Sequence, residues 1–218
     1  MILINLNGPA GCGKDALAEE LQCVINQPRY LAMHMEFKEL LFDVAIRNSG
    51  LSRKLWFALY EREYKERPCP YLQVNGVSVS PRDWMIHCSE NVMKPTFGDD
   101  VFGKAFATKL KDLKKSFEGD STKLVIIVSD GGFIEESVPV VEEIGQDNYM
   151  LTRIHRIRKD GTAYNFDGDS RRYIYSAEFP AGAQMPETDI MNEEGDLRGT
   201  ALKICKFVED MTGEKLHG

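Results

Sequence analysis

The sequence predicts a single α/β domain in which a parallel sheet is covered by helices on both faces. Two near-continuous apolar runs, ILINL at 2–6 and KLVIIV at 123–128, have the length of strands and no alternating polar face, the pattern of strands buried on both sides. Segments with helical spacing separate such runs along the chain. Strands alternating with helices imply parallel pairing, with ligands received beyond the carboxyl ends of the strands. A glycine-rich turn, NGPAGCGKD at 7–15, joins the first strand to the first helix.

The elements follow in order. After the turn, Ala16, Leu17, Leu21 and Val24 recur at helical spacing. RYLAMHM (29–35) reads as a second short strand and FKELLFDVAIRN (37–48) as a helix. YLQVNGVSV (71–79) alternates around Asn75-Gly76, a strong short-range signal for a hairpin. SPRDWMIHCSENVM (80–93) opens a helix with Ser80 as its cap and Pro81 in the first helical position. In the second half, KLVIIVSD ends in two glycines, and a helix over EESVPVVEEIG (135–145) is expected to be interrupted near its start by Pro139. YMLTRIHR (149–156) is a further strand, followed by a polar, basic loop, IRKDGTAYNFDGDSRRYIY (157–175). ETDIMN (187–192) reads as a last short strand. LRGTALKICKFVEDM (197–211) closes the chain as an amphipathic helix, with Leu197, Ala201, Ile204, Cys205 and Val208 on one face.

Composition narrows the class. The chain has 218 residues, 43% of them hydrophobic, enough for a full core in one domain with a lobe inserted into it. A formal charge of −7 argues against binding nucleic acid over a broad surface, while a local pocket of Arg and Lys could still receive a small anion. The five cysteines are scattered, without a C-x-x-C pair or a histidine at ligand spacing, so neither structural zinc nor a disulfide framework is expected. The apolar run at the N-terminus is too short for a signal segment, and no stretch is long enough to span a membrane. The expected location is the cytoplasm, the host cytoplasm if the protein is viral.

Gly8, Gly13 and Lys14 satisfy G-x-x-x-x-G-K, with Gly11 as an additional hinge, so the backbone N–H groups of Gly8, Gly11, Cys12, Gly13, Lys14, Asp15 and Ala16 are expected to wrap a phosphate chain. Lys14 would bridge the β- and γ-phosphates of ATP, and the start of the helix would add its positive end. Asp15 stands where Ser or Thr normally offers Mg²⁺ a hydroxyl. A carboxylate is also a hard oxygen ligand, and Asp is equally a good residue for the first turn of a helix.

GCGKD (11–15), FKELLFDVA (37–45), SPRDWMIHCSENVMKPTFGDDVF (80–102), VIIVSDGGFIEE (125–136), RIHR (153–156) and TDIMNEEGDL (188–197) occur in an order and spacing that resemble the bacteriophage deoxynucleoside monophosphate kinases, a branch of the P-loop nucleoside monophosphate kinases. The resemblance spans nearly the whole chain. It implies a three-layer P-loop kinase fold with an acceptor-binding insertion at 34–110 and a lid loop at 157–172, and a reaction in which ATP and Mg²⁺ phosphorylate a deoxynucleoside monophosphate to the diphosphate. The family shows a GKD ending, so Asp15 becomes a sign of this branch. Lys38, Arg82 and Lys94 match positions where the family tends to place Lys or Arg near the acceptor. Asp130 matches an acid that orients Mg²⁺-bound water, which with Asp15 makes the implied metal ligands. An Arg often follows that acid in the family; here Gly132 stands in its place, so either the acceptor differs or another Arg substitutes.

Arg153, Arg156, Arg158, Arg171 and Arg172 cluster around the expected lid, and Arg suits a transferring phosphoryl group. Arg156 and Arg171, with Lys14 and Asp130, are the expected catalytic residues, and Arg172 is assigned to substrate binding. Each has a plainer reading: Arg82 as a solvated residue of a helix start, Asp130 as the cap of the following helix, the arginines as solvated surface. His34, His87 and His155 read as structural. Cys12 sits at a helix start, where its thiolate would be favoured. Trp56, Phe57 and Tyr60 read first as packing of the inserted lobe and second as a nucleobase platform. Two other functions stay open: a P-loop kinase with a different acceptor, such as a modified nucleotide or base, and a nucleotide-binding module without catalysis. A homodimer is also admitted.

Overall fold

A computed structural model describes residues 1–25 and 27–217. Along the chain run β1 (Ile2–Asn7), α1 (Lys14–Ile25), β2 (Tyr30–Met35), α2 (Glu39–Ser49), α3 (Arg53–Leu59), β3 (Cys69–Val74), β4 (Val77–Val79) and α4 (Pro81–His87). A π-helical turn (Cys88–Met93) and the short α5 (Lys94–Phe97) lead into α6 (Val101–Ser116), β5 (Lys123–Val128), α7 (Ile134–Ile144), β6 (Tyr149–His155), β7 (Glu187–Met191) and α8 (Leu197–Thr212).

Five strands form one sheet in the order β2-β5-β1-β6-β7, and every neighbouring pair is parallel. The apolar runs explain why. All six residues of β1 are buried, and successive side chains go to opposite faces. Ile2, Ile4 and Leu6 join Leu17 and Leu21 of α1 and Ile204 and Val208 of α8 in one core. Leu3 joins Phe106 and Leu110 of α6 and Val140 and Ile144 of α7 in a second. The sheet is therefore covered by helices on both faces, as the sequence predicts. Gly103 lets α6 lie directly against the backbone of Glu136 in α7, where any Cβ would collide with a carbonyl.

Parallel pairing puts the carboxyl ends of all five strands at one edge. The chain leaves central β1 toward β2 and β5 on one side and toward β6 and β7 on the other, so a crevice opens beyond β1, where ligands of such sheets bind. Between β2 and β5 lies a lobe with a core of its own, built on Phe42, Ile46, Trp56, Leu72 and Met85. Trp56 is fully buried there and stacks on Tyr60, which packs edge-on against Phe42, while Phe57 is exposed. These contacts are those expected of packing.

Local signals were obeyed with three exceptions. Asn75 and Gly76 both take positive φ, 51° and 79°, and turn β3 into antiparallel β4. Ser80 accepts from the Asp83 N–H at 3.1 Å with Pro81 behind it. The helix it opens does not stay α-helical, however: it widens into the π turn just before Pro95, a residue that cannot supply an N–H to the ladder. Pro139, expected to interrupt its helix, sits inside an unbroken α7. The carbonyl it leaves without an intrahelical partner belongs to Glu135, an exposed residue that water can reach. Ala16, placed on the buried face of the first helix by its spacing, is exposed, and Ala18 is buried in its stead. Among the described residues no helix is long and apolar enough to cross a membrane.

Candidate functional site

The crevice beyond β1 is filled by the glycine-rich loop. Lys14 is the first residue of α1, and its side chain folds back under the loop, donating to the carbonyls of Gly8 at 2.6 Å and Pro9 at 2.8 Å. It is only 7% exposed, and burial holds its ammonium below the usual lysine range. The loop has company on its outer side. Gly13 has φ 91°, and a Cβ there would lie 2.7 Å from Asn192 Nδ2 and 3.2 Å from Arg156 Nη1; a Cβ on Gly8 would lie 2.7 Å from the Ile154 carbonyl. Asn192, just past β7, donates to the Cys12 carbonyl at 2.7 Å. Gly8, Gly11, Cys12, Gly13, Lys14, Asp15 and Ala16 thus form one turn at the sheet edge, with Arg156 beside it. Cys12 departs from expectation: burial pushes its thiol pKa up, outweighing the neighbouring Lys14.

Asp15, exposed on the first turn of α1, accepts from Ser129 Oγ at 2.7 Å; Ser129 lies just past β5 and is itself 2.8 Å from His34 Nε2. The parallel register His34↔Ile127 and Met35↔Val128 brings the end of β2 level with this point. Asp15, His34 and Glu36 each present one ligand atom, all within 4.8 Å of one another, and can hold a metal ion.

Asp130 is not in that set. Its carboxylate accepts from the backbone N–H groups of Phe37 at 3.0 Å and Lys38 at 3.1 Å, so it fixes the entry to α2, beyond the neighbouring strand β2, and not the entry to the following helix. Burial raises its pKa against the opposing charge of Lys38. Lys38 pairs with Glu36 at 2.7 Å. Lys94 pairs with Glu90 at 2.7 Å and lies 5.1 Å from the centre of the Phe133 ring. Glu136, 8% exposed, has its pKa pushed up to about 8, by burial first and by the Asp130 charge second, with Lys94 and Arg171 opposing.

Arg171 reaches this group by a route the sequence does not advertise. Its aliphatic stem lies on Gly132: a Cβ there would be 3.0 Å from each of Arg171 Cβ, Cγ and Cδ. Its guanidinium is held by Asp169, Nε to Oδ1 at 3.0 Å and Nη2 to Oδ2 at 2.6 Å, and acts electrostatically on Lys14 and Glu136. Asn7, the last residue of β1, pins both chains: its Nδ2 donates to the carbonyls of Gly131 at 3.2 Å and Arg172 at 3.0 Å, and its Oδ1 accepts from the Ile174 N–H at 3.0 Å. An Arg therefore lies over the position where Gly132 provides none. Arg172 itself is exposed and pairs with Glu178 at 2.6 Å; Arg82 is partly exposed and pairs with Glu66 at 2.9 Å.

The structure thus brings Lys14, Asp15, Asp130, Arg156 and Arg171 to one sheet edge and leaves Arg82 and Arg172 in exposed ion pairs. Sequence reading missed Asn7, His34, Glu36, Ser129, Glu136 and Asn192. Five of them lie at or just beyond the carboxyl end of a parallel strand, which is the signal that could have found them. No family model matches the chain, and no curated protein matches it.

Proposed function

We propose that the chain is a P-loop phosphotransferase with the three-layer fold of the nucleoside monophosphate kinases, of the deoxynucleoside monophosphate kinase branch, moving the terminal phosphoryl group of ATP to a deoxynucleoside monophosphate. The observation that carries this reading is the glycine-rich turn between a central parallel strand and a helix, with the buried Lys14 ammonium beneath it and Arg156 and Arg171 on either side.

In this reading Lys14 exchanges the Gly8 and Pro9 carbonyls for phosphate oxygens, which satisfy the same N–H donors and supply the opposite charge. An oxygen of the acceptor monophosphate attacks the γ-phosphorus, the bond to the bridging oxygen breaks, and ADP departs. The acceptor oxygen is already ionised at neutral pH, so positioning and charge neutralisation suffice without a base. Lys14, Arg156 and Arg171 neutralise charge at the donor side. Lys38, Arg82 and Lys94, carried by the lobe between β2 and β5, serve the acceptor after leaving Glu36, Glu66 and Glu90. Mg²⁺, when bound, supplies further charge neutralisation at the phosphates; Asp15 offers it oxygen, and Asp130 acts by holding the segment at Phe37 and Lys38.

The test is incubation with Mg-ATP and a panel of ribo-, deoxyribo- and modified monophosphates, with products identified by mass. A deoxynucleoside diphosphate formed together with ADP is the expected outcome. Turnover confined to a modified acceptor would move the assignment to another P-loop kinase, and ATP binding without acceptor-dependent turnover would leave a binding module.

A further inference from the structure

Asp15, His34 and Glu36 belong to two elements that meet only in the folded chain. His34 and Glu36 are two residues apart at the end of β2 and so share a side of the strand, and Asp15 faces them from the first turn of α1. Ser129 touches both Asp15 and His34 and orients the two side chains toward each other. The ammonium of Lys38 faces the carboxylates of Asp130, Glu36 and Asp15 together, and that of Lys14 acts on Asp15 as well, so three carboxylates meet two ammonium groups. Lys38 takes Glu36 Oε1, which leaves Oε2 for another cation.

We propose that Asp15, His34 and Glu36 form a binding site for a first-row divalent transition-metal ion, filled without nucleotide. One imidazole and two carboxylates make a mixed nitrogen–oxygen set. Such a set prefers ions of the Mn²⁺ to Zn²⁺ series over Mg²⁺, which favours all-oxygen surroundings and gives up water reluctantly. Metal–ligand bonds of about 2.0–2.2 Å keep ligand atoms within roughly 4.4 Å of one another. The present spacing, within 4.8 Å, exceeds that by no more than about 0.4 Å, a difference that small side-chain rotations cover. Three protein ligands leave positions for water or an anionic oxygen. The proposal also gives a reason for a carboxylate at position 15, since the longer, charged side chain of Asp reaches an ion between itself, His34 and Glu36 that a Ser hydroxyl would serve poorly. It does not rest on phosphoryl transfer, and its test contains no nucleotide.

Metal-free full-length protein, without an affinity tag, is titrated with MnCl₂, and free Mn²⁺ is read by its electron paramagnetic resonance signal. The expected result is one Mn²⁺ per chain, displaced by Mg²⁺ only at concentrations at least about tenfold higher. His34→Gln and Glu36→Gln should each weaken binding by about tenfold or more, and the double variant should abolish it. Circular dichroism establishes that each variant is folded. Should a β2 variant fail to fold, Asp15→Asn, on an exposed first turn, carries the same expected loss. Wild-type binding no tighter than that of the double variant, unchanged binding in the folded single variants, or equal affinity for Mg²⁺ would each overturn the proposal.

Discussion

Replacing Gly132 by alanine places a methyl carbon 3.0 Å from three carbons of the Arg171 stem. Ordinary carbon contacts begin at about 3.5 Å, so the stem must retreat by roughly 0.5–1 Å. It cannot do so freely, because Asn7 holds the carbonyl of Gly131 on one chain and that of Arg172 on the other. The movement therefore falls on the guanidinium, which leaves its place between Asp169 and the neighbourhood of Lys14. Overpacking of this size costs about 1 kcal/mol, and the lower chain entropy of alanine in the unfolded state returns about 0.4–1 kcal/mol, so net stability should hardly change. Rate is another matter: a misplacement near 1 Å in a group that meets the transition state costs up to about 100-fold, or about 2.7 kcal/mol of barrier. The expected signature is a melting temperature within about 3 °C of wild type and kcat lower by about 10- to 100-fold, measured by ADP release with a saturating acceptor. Arg171→Ala should lose as much, and the double variant should lose no more than the worse single one, because both changes remove the same contact. A kcat within about twofold of wild type for folded Gly132→Ala, or losses that multiply in the double variant, would refute the reasoning.

Three further outcomes are expected. Lys14→Ala should abolish phosphoryl transfer in the acceptor panel while circular dichroism and melting stay near wild type, because the ammonium bonds only to its own loop. Asp130→Asn should lower both rate and stability, the latter by about 1–2 kcal/mol in urea unfolding, since an amide cannot accept from both the Phe37 and Lys38 N–H groups as well as a carboxylate does. Glu136 should make stability depend on pH: its folded pKa, about 8, lies above the ordinary 4.5, so the folded state favours the protonated form. Its contribution is fully present below pH 4.5 and is lost progressively up to about pH 8, by about 3–5 kcal/mol. Urea unfolding at pH 5 and pH 8 should show that loss in the wild type and a much smaller one in Glu136→Gln.

What could be read from the chain follows the range of the forces involved. Runs such as 2–6 and 123–128 declare buried strands because burial on both faces demands apolar residues throughout, and Asn75-Gly76 and Ser80-Pro81 act within a few residues of themselves. The glycine-rich turn is equally local. The Asp15–His34–Glu36 cluster is not, because it depends on which strand lies beside β5 and in what register, and the hydrophobic pattern of β2 is compatible with several answers. His34 reads as structural because no acid–nucleophile arrangement surrounds it in the sequence, while Asp15, which completes the cluster with it and Glu36, lies in another element. Asn7 and Arg172 are 165 positions apart, and no periodicity announces a contact of that kind. Pro139 shows the opposite case: packing of α7 on α6, with Glu135 at the freed position exposed to solvent, outweighs the local rule against proline inside a helix.

The contacts of the segment expected to act as a lid divide it into two parts with different consequences for Arg156 and Arg171. In the first part, the Tyr164 N–H donates to the Arg156 carbonyl at 2.9 Å, Ile157 bridges Ala163, and the Tyr164 ring lies 4.2 Å from the Arg158 guanidinium carbon. That ring rests on the glycine-rich loop, 3.0 Å from where a Gly11 Cβ would stand. Arg158 and Ala163 are exposed, and what holds this part down is chiefly the Tyr164 ring, partly buried against the main core and flanked by Arg156 and Arg158. In the second part, Arg171 and Arg172 are tied through Asn7 to β1, a fully buried strand, and the residue after Asn7 is the first glycine of the loop. The backbone beside Arg171 is therefore anchored to β1 and the glycine-rich loop, and its guanidinium is held in turn by Asp169. Its charge is preset beside Lys14, which would spare the proposed reaction the reorganisation that a swinging arginine requires. Adjustment to a nucleotide bound as proposed would fall instead to the hairpin at 157–164, and Arg156 at its base is the cation whose position such an adjustment would tune.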